Sequence, residues 1–311
     1  MTVSLPPVSV RRPTLLTRLW RARLAYLFLL PTLLLLGWYA YYPAYIALTR
    51  AFTDWDGLNT PNFTGLENFQ RALTDPVMGQ ASLNSALWVV LGLVLAVVPP
   101  LLVAELIFHL RGTRRQYAYR TLFVVPIVIP SLVLLLVWSN FYQSGGLLNQ
   151  LLSALHLGGL RHEWLSDPHT ALPSLILLGF PYIDAFNLLL LYAGLQNIPH
   201  EVIEAARLDG AGGWRRVWSI DLPLLRPQLR LIGLLAIIGN VQYFISPLVL
   251  TGGGPGYATT VPALLMYQTA VKFGEYGYAM SIAVLLFLVV VVLTGLSQWL
   301  SRRSAAGGVR R

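Results

Sequence analysis

The sequence predicts an all-α integral membrane protein with six transmembrane helices, and three observations lead there. First, the chain is 56% hydrophobic and only 11% charged over 311 residues, with a mean hydropathy of +0.62. Such values belong to membrane proteins. Second, six apolar stretches lie at about 24–48, 83–108, 119–142, 171–193, 229–250 and 277–300. Each approaches or exceeds the ~20 residues that a helix needs to cross a bilayer. Third, if these stretches alternate across the membrane, eighteen of the 22 basic residues fall on one side. The other side holds only Arg50, Arg71, Arg161 and Lys272. That bias puts both termini in the cytoplasm.

Residues 1–23 form a basic cytoplasmic N-terminus carrying Arg11, Arg12, Arg18, Arg21 and Arg23. The first apolar run is nearly twice the ~7–15 residues of a signal-peptide core and five more follow, so it reads as an uncleaved span. In the outer loop of about 51–82, Leu66, Phe69 and Leu73 recur at helical spacing, which predicts a short amphipathic helix on the outer face. Near the inner end of the second span, Glu105 stands four residues before His109, a spacing that permits a local pair. Pro99-Pro100, Pro126, Pro130, Pro181 and Pro247 fall inside spans. They kink helices, either to line a pathway or only to pack. The loop of about 143–170 is long enough to cap the outer end of the bundle.

Spans four and five carry the polar groups. Asp184 lies in Phe180-Pro181-Tyr182-Ile183-Asp184-Ala185-Phe186-Asn187, in the middle of the fourth stretch. A carboxylate at that depth costs ~2.5–3.5 kcal/mol on insertion scales, so it should face the bundle interior or water. Asn187 shares its helical face, and Tyr182 and Phe186 supply aromatic neighbours. In the fifth span, Asn240, Gln242, Tyr243 and Ser246 share one broad face by helical spacing. Carboxylate and amide groups beside aromatic rings suit a sugar, whose hydroxyls are hydrogen-bonded while the ring stacks. Interhelical clamping, worth ~0.6 kcal/mol per hydrogen bond, is the competing explanation.

Between those spans, Glu204-Ala205-Ala206-Arg207-Leu208-Asp209-Gly210 is followed after nine residues by Ile220-Asp221-Leu222-Pro223. Pro199 suits a first helical turn, and Glu201 and Glu204 sit near the positive end of the helix dipole. Asp209-Gly210 stops that helix, and a second short helix around Trp214 to Ile220 should end before Pro223. Two short helices hinged at a glycine make an element that can insert into a groove on a partner.

Other chemistry is excluded or unsupported. Gly252-Gly253-Gly254-Pro255-Gly256 lacks the Lys-Ser or Lys-Thr of a phosphate loop, because the chain's one lysine is Lys272. With no cysteine, disulfides and thiol chemistry are absent. The five histidines show no ligand spacing, and no catalytic constellation appears, so no metal, cofactor or enzyme activity is expected. The net charge of +9 is explained by anionic lipid at the inner leaflet, without nucleic acid.

The EAA-x3-G-x9-I-x-LP pattern resembles the cytoplasmic signature of permease subunits in binding-protein-dependent ABC importers. Arg120-Thr121-Leu122-Phe123, Gly146-Leu147-Leu148-Asn149-Gln150, Leu191 through Pro199 and Leu250-Thr251-Gly252-Gly253-Gly254-Pro255 narrow the resemblance. They point to bacterial carbohydrate permeases of the maltose-type group, MalF-like half, over about Leu24 to Arg303. The resemblance implies a type I ABC importer permease (MetI-like) core over residues 24–303, with a cytoplasmic tail at 304–311. It also implies a second homologous permease, two cytoplasmic ATP-binding subunits, an extracytoplasmic solute-binding protein and a sugar or oligosaccharide substrate, in a bacterial inner membrane. Glu204, Ala205, Ala206, Asp209, Gly210, Ile220, Leu222 and Pro223 would couple to the ATPase. The largest members carry two additional N-terminal helices and a large extracytoplasmic domain that have no counterpart in these residues. The alternatives are a permease for another small solute of the same class, or a secondary transporter, which would need no docking segment.

Overall fold

The computed structural model describes residues 20, 23–180 and 183–307, with side chains to residue 299. Among these residues every regular element is helical, apart from one isolated bridge between Thr53 and Phe63. Five segments are long and apolar enough to cross a membrane: Arg23–Arg50, Pro76–Phe108, Ser131–Ala154, Arg226–Thr251 and Tyr276–Trp299. The chain divides into a unit Met1–Thr49 and a unit Arg50–Arg311.

In the first unit, α1 (Arg23–Arg50) keeps its helical path through Pro31 and widens into a π turn at Gly37–Tyr41. None of the described residues of this unit is buried. A helix apolar on all faces needs lipid or an apolar neighbour around it.

The second unit starts with a short outer loop held by side-chain hydrogen bonds. Asn68 Nδ2 donates to the carbonyls of Ala51 and Thr53, at 3.0 and 2.8 Å. The expected amphipathic helix forms as α2 (Glu67–Thr74), with Leu66 and Leu73 exposed and Ala72 buried. Asp75 then caps α3 (Pro76–Phe108), accepting from Val77 N at 2.8 Å, with Pro76 in the first turn where its missing N–H costs nothing. The helix thus begins seven residues before the apolar stretch that announced it.

Two expected spans are interrupted. The third is built from α4 (Thr113–Val124), a 3-10 turn at Val125–Val128 and α5 (Ser131–Tyr142). Pro126 and Pro130 each remove a backbone donor there, which shortens the helical run on both sides. The fourth is delivered as α7 (Ala171–Ile176), a turn through Gly179, and α8 (Ala185–Gln196). Pro181 and Tyr182 lie outside the described residues. Asp184 is therefore the N-cap of α8, accepting from Asn187 N at 2.8 Å, and not a residue in mid-helix. Its carboxylate terminates a helix, as Asp does well.

The segment between α5 and α7 contains α6 (Leu147–Ala154), tied down by one buried amide. Asn149, 3% exposed, donates to Ser144 O and His162 O at 3.0 and 2.9 Å and accepts from Trp164 Nε1 at 2.9 Å. Beyond α8 come α9 (His200–Leu208) and α10 (Gly213–Arg216), then α11 (Arg226–Gln242), α12 (Pro262–Val271) and α13 (Tyr276–Gly307). The main core joins α3, α8, α9 and α11 through Ala104, Ile107, Leu188, Leu191, Tyr192, Leu195, Ile203, Leu225 and Ile232. Gly194 permits the close approach, since a Cβ there would lie 2.5 Å from Leu225 Cδ2. Near the start of α3, Asn84 donates to Tyr257 O and Thr260 O at 3.1 and 2.8 Å, fixing the glycine-rich turn.

Asn149→Ala should lower the thermal midpoint of the purified protein and expose the 143–170 loop to protease. Two backbone carbonyls and an indole N–H lose partners, and each such loss costs ~1–3 kcal/mol. Unchanged cleavage and an unchanged midpoint would show that the loop is held otherwise.

Candidate functional site

The break before α8 opens a cavity of about 490 Å³. It is lined by Trp88, Gly92, Ala96 and Pro99 of α3, by Leu177, Leu178 and Phe180 of the break, and by Asp184, Phe186 and Asn187 at the start of α8. Ile232, Ala236, Gly239 and Asn240 of α11 and the following Tyr243 close the opposite wall. Its size falls in the range of small-molecule sites, ~300–1,000 Å³.

Local structure places each polar group. Asn187 Nδ2 reaches across to Ala96 O at 3.2 Å, so part of this amide is spent on holding α8 against α3. One Asp184 oxygen receives the Asn187 N–H. Asn240 lies against Gly92, where a Cβ would come within 2.7 Å of its amide. Trp88 and Tyr243 face each other with ring centroids 5.4 Å apart and planes at 37°. The cavity thus offers carboxylate, amide and phenol groups beside indole and phenyl faces.

Of the eight residues singled out for a pathway, Asp184, Phe186, Asn187, Asn240 and Tyr243 come together here. Tyr182 lies outside the described residues. Gln242 and Ser246 go elsewhere. Gln242 lines a separate 360 Å³ pocket with Phe244, Ala263 and Met266, and Ser246 is buried at 1% exposure. The shared helical face expected for the fifth-span group fails because α11 ends at Gln242, and Tyr243 is extended at φ −77°, ψ 129°. Trp88, Gly92 and Ala96 were missed by the sequence reading. Their i, i+4, i+8 spacing was the available signal, but α3 is so uniformly apolar that no face stands out.

On the far side of the core lies the segment between α8 and α11. Pro199 precedes α9 as its N-cap, with Glu201 in the first turn. α9 ends in a Schellman motif: Ala211 N bonds Ala206 O at 2.8 Å, Gly210 N bonds Arg207 O at 3.1 Å, and Gly210 takes φ +69°. Ile203, Ala206 and Ala211 are buried, while Glu204, Ala205, Asp209, Gly210 and Trp214 stay exposed. The second helix does not stop before Pro223. α10 widens into a π turn at Val217–Asp221, and Leu222–Leu224 continues it. Pro223 supplies no N–H, so the wide turn sacrifices no bond there. Ile220, Leu222 and Pro223 are half-buried. Beneath them Arg216 and Asp221 pair with Nε 3.3 Å from Oδ1, and both are buried. Burial pushes the Asp221 carboxyl above its ordinary range, and the Arg216 guanidinium pulls it back.

The expected Glu105–His109 contact is loose. His109 Nδ1 is 3.7 Å from Glu105 Oε2 and 2.8 Å from the Glu105 carbonyl, which is its real partner. No group of three or more His, Cys, Asp and Glu side chains able to hold a metal occurs among the described residues.

Gly210→Val would place a β-branched residue at positive φ, a penalty of ~1–2 kcal/mol on the backbone alone. No heavy atom lies within 4 Å of the added Cβ, so the strain is purely conformational. The variant should disturb the turn between the two short helices, whereas Gly210→Asn, which tolerates this φ, should stay closer to wild type. Amide hydrogen exchange across 204–217 checks this, and equal protection in both variants would contradict it.

The family described as binding-protein-dependent transport system inner membrane component matches residues 89–305. A probable ABC transporter permease, YurN of Bacillus subtilis, is 32% identical over 271 residues, covering 86% of this chain and 92% of that protein. A trehalose/maltose transport system permease, MalF of Thermococcus litoralis, is 32% identical over 286 residues, covering 88% and 92%. Among solved structures, a bacterial alginate ABC transporter in complex with an alginate-bound periplasmic protein has a similar chain. It superposes with a TM-score of 0.81 at 21% identity, over 93% of this chain and 97% of that one, a likeness of fold. This chain belongs to the inner membrane components of binding-protein-dependent transport systems, whose members are transport permeases.

Proposed function

We propose that the chain is the permease subunit of an ATP-driven sugar importer, forming half of the translocation pathway. The observation that carries this is the pairing of two features on one core. A cavity with Asp184, Asn240 and Tyr243 beside Trp88 and Phe186 lies on one side of it, and a glycine-hinged docking segment with exposed Glu204 lies on the other. Sugar as the substrate class is favoured because relatives named as trehalose/maltose and multiple-sugar permeases share the sequence over most of its length. The mixture of hydroxyl-binding and stacking groups in the cavity suits that chemistry.

In this reading a second homologous permease completes the pathway, and an extracytoplasmic binding protein delivers solute. Two cytoplasmic ATPases receive the segment Glu204, Ala205, Ala206, Asp209, Gly210, Ile220, Leu222 and Pro223. Glu204 meets a basic partner group, and Gly210 sets the angle between the two short helices. Both termini face the cytoplasm, on the distribution of basic residues. The chain itself hydrolyses no ATP, because no phosphate loop completes around Lys272.

The purified chain alone in lipid should show no ATPase activity above a blank, and turnover there would overturn that assignment. In proteoliposomes holding the whole assembly, Asn240→Ala should cut uptake of labelled sugar at least ~10-fold, the scale expected when a site's hydrogen bond to a substrate hydroxyl is lost. Complex assembly should stay intact. Unchanged uptake would make Asn240 a helix clamp and no more.

A further inference from the structure

Where the docking segment meets the inner end of α3, three ionisable side chains are buried together. Glu105 is 7% exposed, Arg216 5% and Asp221 0%. Arg216 Nε donates to Asp221 Oδ1 at 3.3 Å and lies 3.2 Å from Oδ2 as an ion pair without a hydrogen bond to it. Arg216 Nη2 has no hydrogen-bond partner among the described residues, and neither do the two Glu105 oxygens or Asp221 Oδ2. His109 does not satisfy Glu105, because Nδ1 of that ring is directed to the backbone carbonyl. The Phe108 ring lies 5.4 Å from the Arg216 guanidinium carbon and supports it.

A buried carboxylate without a donor is costly, and so is a buried guanidinium N–H without an acceptor. Here both occur at one junction: Glu105 stands three residues before Phe108 on the same face of α3, and the Phe108 ring lies against Arg216. The guanidinium carries five donors and can serve two carboxylates, in turn or together. We propose that Arg216 exchanges partners during transport: here it serves Asp221 inside the docking segment, and in the alternate state Nη2 donates to Glu105 of α3. The proposal rests on the ATP-driven reading above. Displacement of the docking segment by the ATPase would then be pulled through a charged contact onto α3. That helix lines the cavity with Ala96, Gly92 and Trp88, roughly two and a half to five turns away. Glu105 is on this account a positioning residue, acting on solute only through α3.

The discriminating variant is Glu105→Leu in the full importer with partner permease, ATPases and binding protein. Removing an unpaired buried carboxylate should leave assembly intact and hold or raise the thermal midpoint, yet lower sugar uptake at least ~10-fold, within the range of allosteric couplings. A merely structural Glu105 cannot give that combination of higher stability and lower transport. Glu105→Gln keeps a carbonyl acceptor and should retain most of the uptake. Wild-type uptake by Glu105→Leu, or a loss no greater than the loss of assembled complex, overturns the exchange while the transport reading stands. If Glu105→Leu does not assemble, Arg216→Lys decides. Lys can hold Asp221 but lacks the fork, so it should assemble and transport poorly, and full uptake refutes the proposal. Absence of ATP-driven uptake by the wild-type assembly would overturn the transport reading and the exchange with it.

Discussion

A bilayer core offers no water to an open backbone N–H or C=O, and that constraint decides where this chain stays helical and where it breaks. The long helix α13 satisfies its own backbone, and α3 does so except where Pro99 and Pro100 supply no N–H, the freed Ala96 carbonyl taking the Asn187 amide instead. Each break needs a substitute. Asp184 supplies one by capping α8, and Asp75 does the same for α3. Prolines at the 3-10 turn between α4 and α5 bring no donor that would need a partner. The cavity follows from this. The interrupted helix before α8 leaves Asp184 and Asn187 at the rim of an unfilled space, and the end of α11 turns Tyr243 into the same space.

Packing then links the cavity to the segment between α8 and α11. α3 runs past both, lining the cavity with its middle and meeting Ile203, Leu225 and Arg216 near its inner end. The apolar part of that junction is sequence-cheap, built from Ala104, Ile107 and Ile203. The charged part is not, since burying Arg216 and Asp221 costs more in desolvation than a well-packed apolar pair would. On the proposed exchange these groups serve movement more than stability, and α3 is the element through which that movement would reach solute.

Much of this was legible in the residues alone. Apolar runs long enough to span a membrane are read directly, because lipid demands them and little else produces them. The helix end at Asp209-Gly210 was legible because glycine suits a positive-φ stop, and a Schellman turn forms there. The interruption before α8 was hidden, since Phe180, Ile183 and Phe186 keep the hydropathy high across it. Asp184 was recognised as exceptional but assigned to mid-helix for that reason. Gln242 and Ser246 were grouped with Asn240 by helical spacing, which loses its meaning once Tyr243 leaves the helix. The contribution of α3 to the cavity was illegible because a helix apolar on every face announces no preferred side.

The central claim, that the space between α3, α8 and α11 carries the solute, can be tested by thiol protection, because the chain has no cysteine of its own. Ala236→Cys places a small reporter in the cavity wall, and Gln242→Cys places one on the neighbouring pocket. In the transport-competent assembly, the transported sugar should slow maleimide labelling at 236 and leave labelling at 242 unchanged. Labelling at 236 that is indifferent to a sugar the same assembly imports would contradict the account.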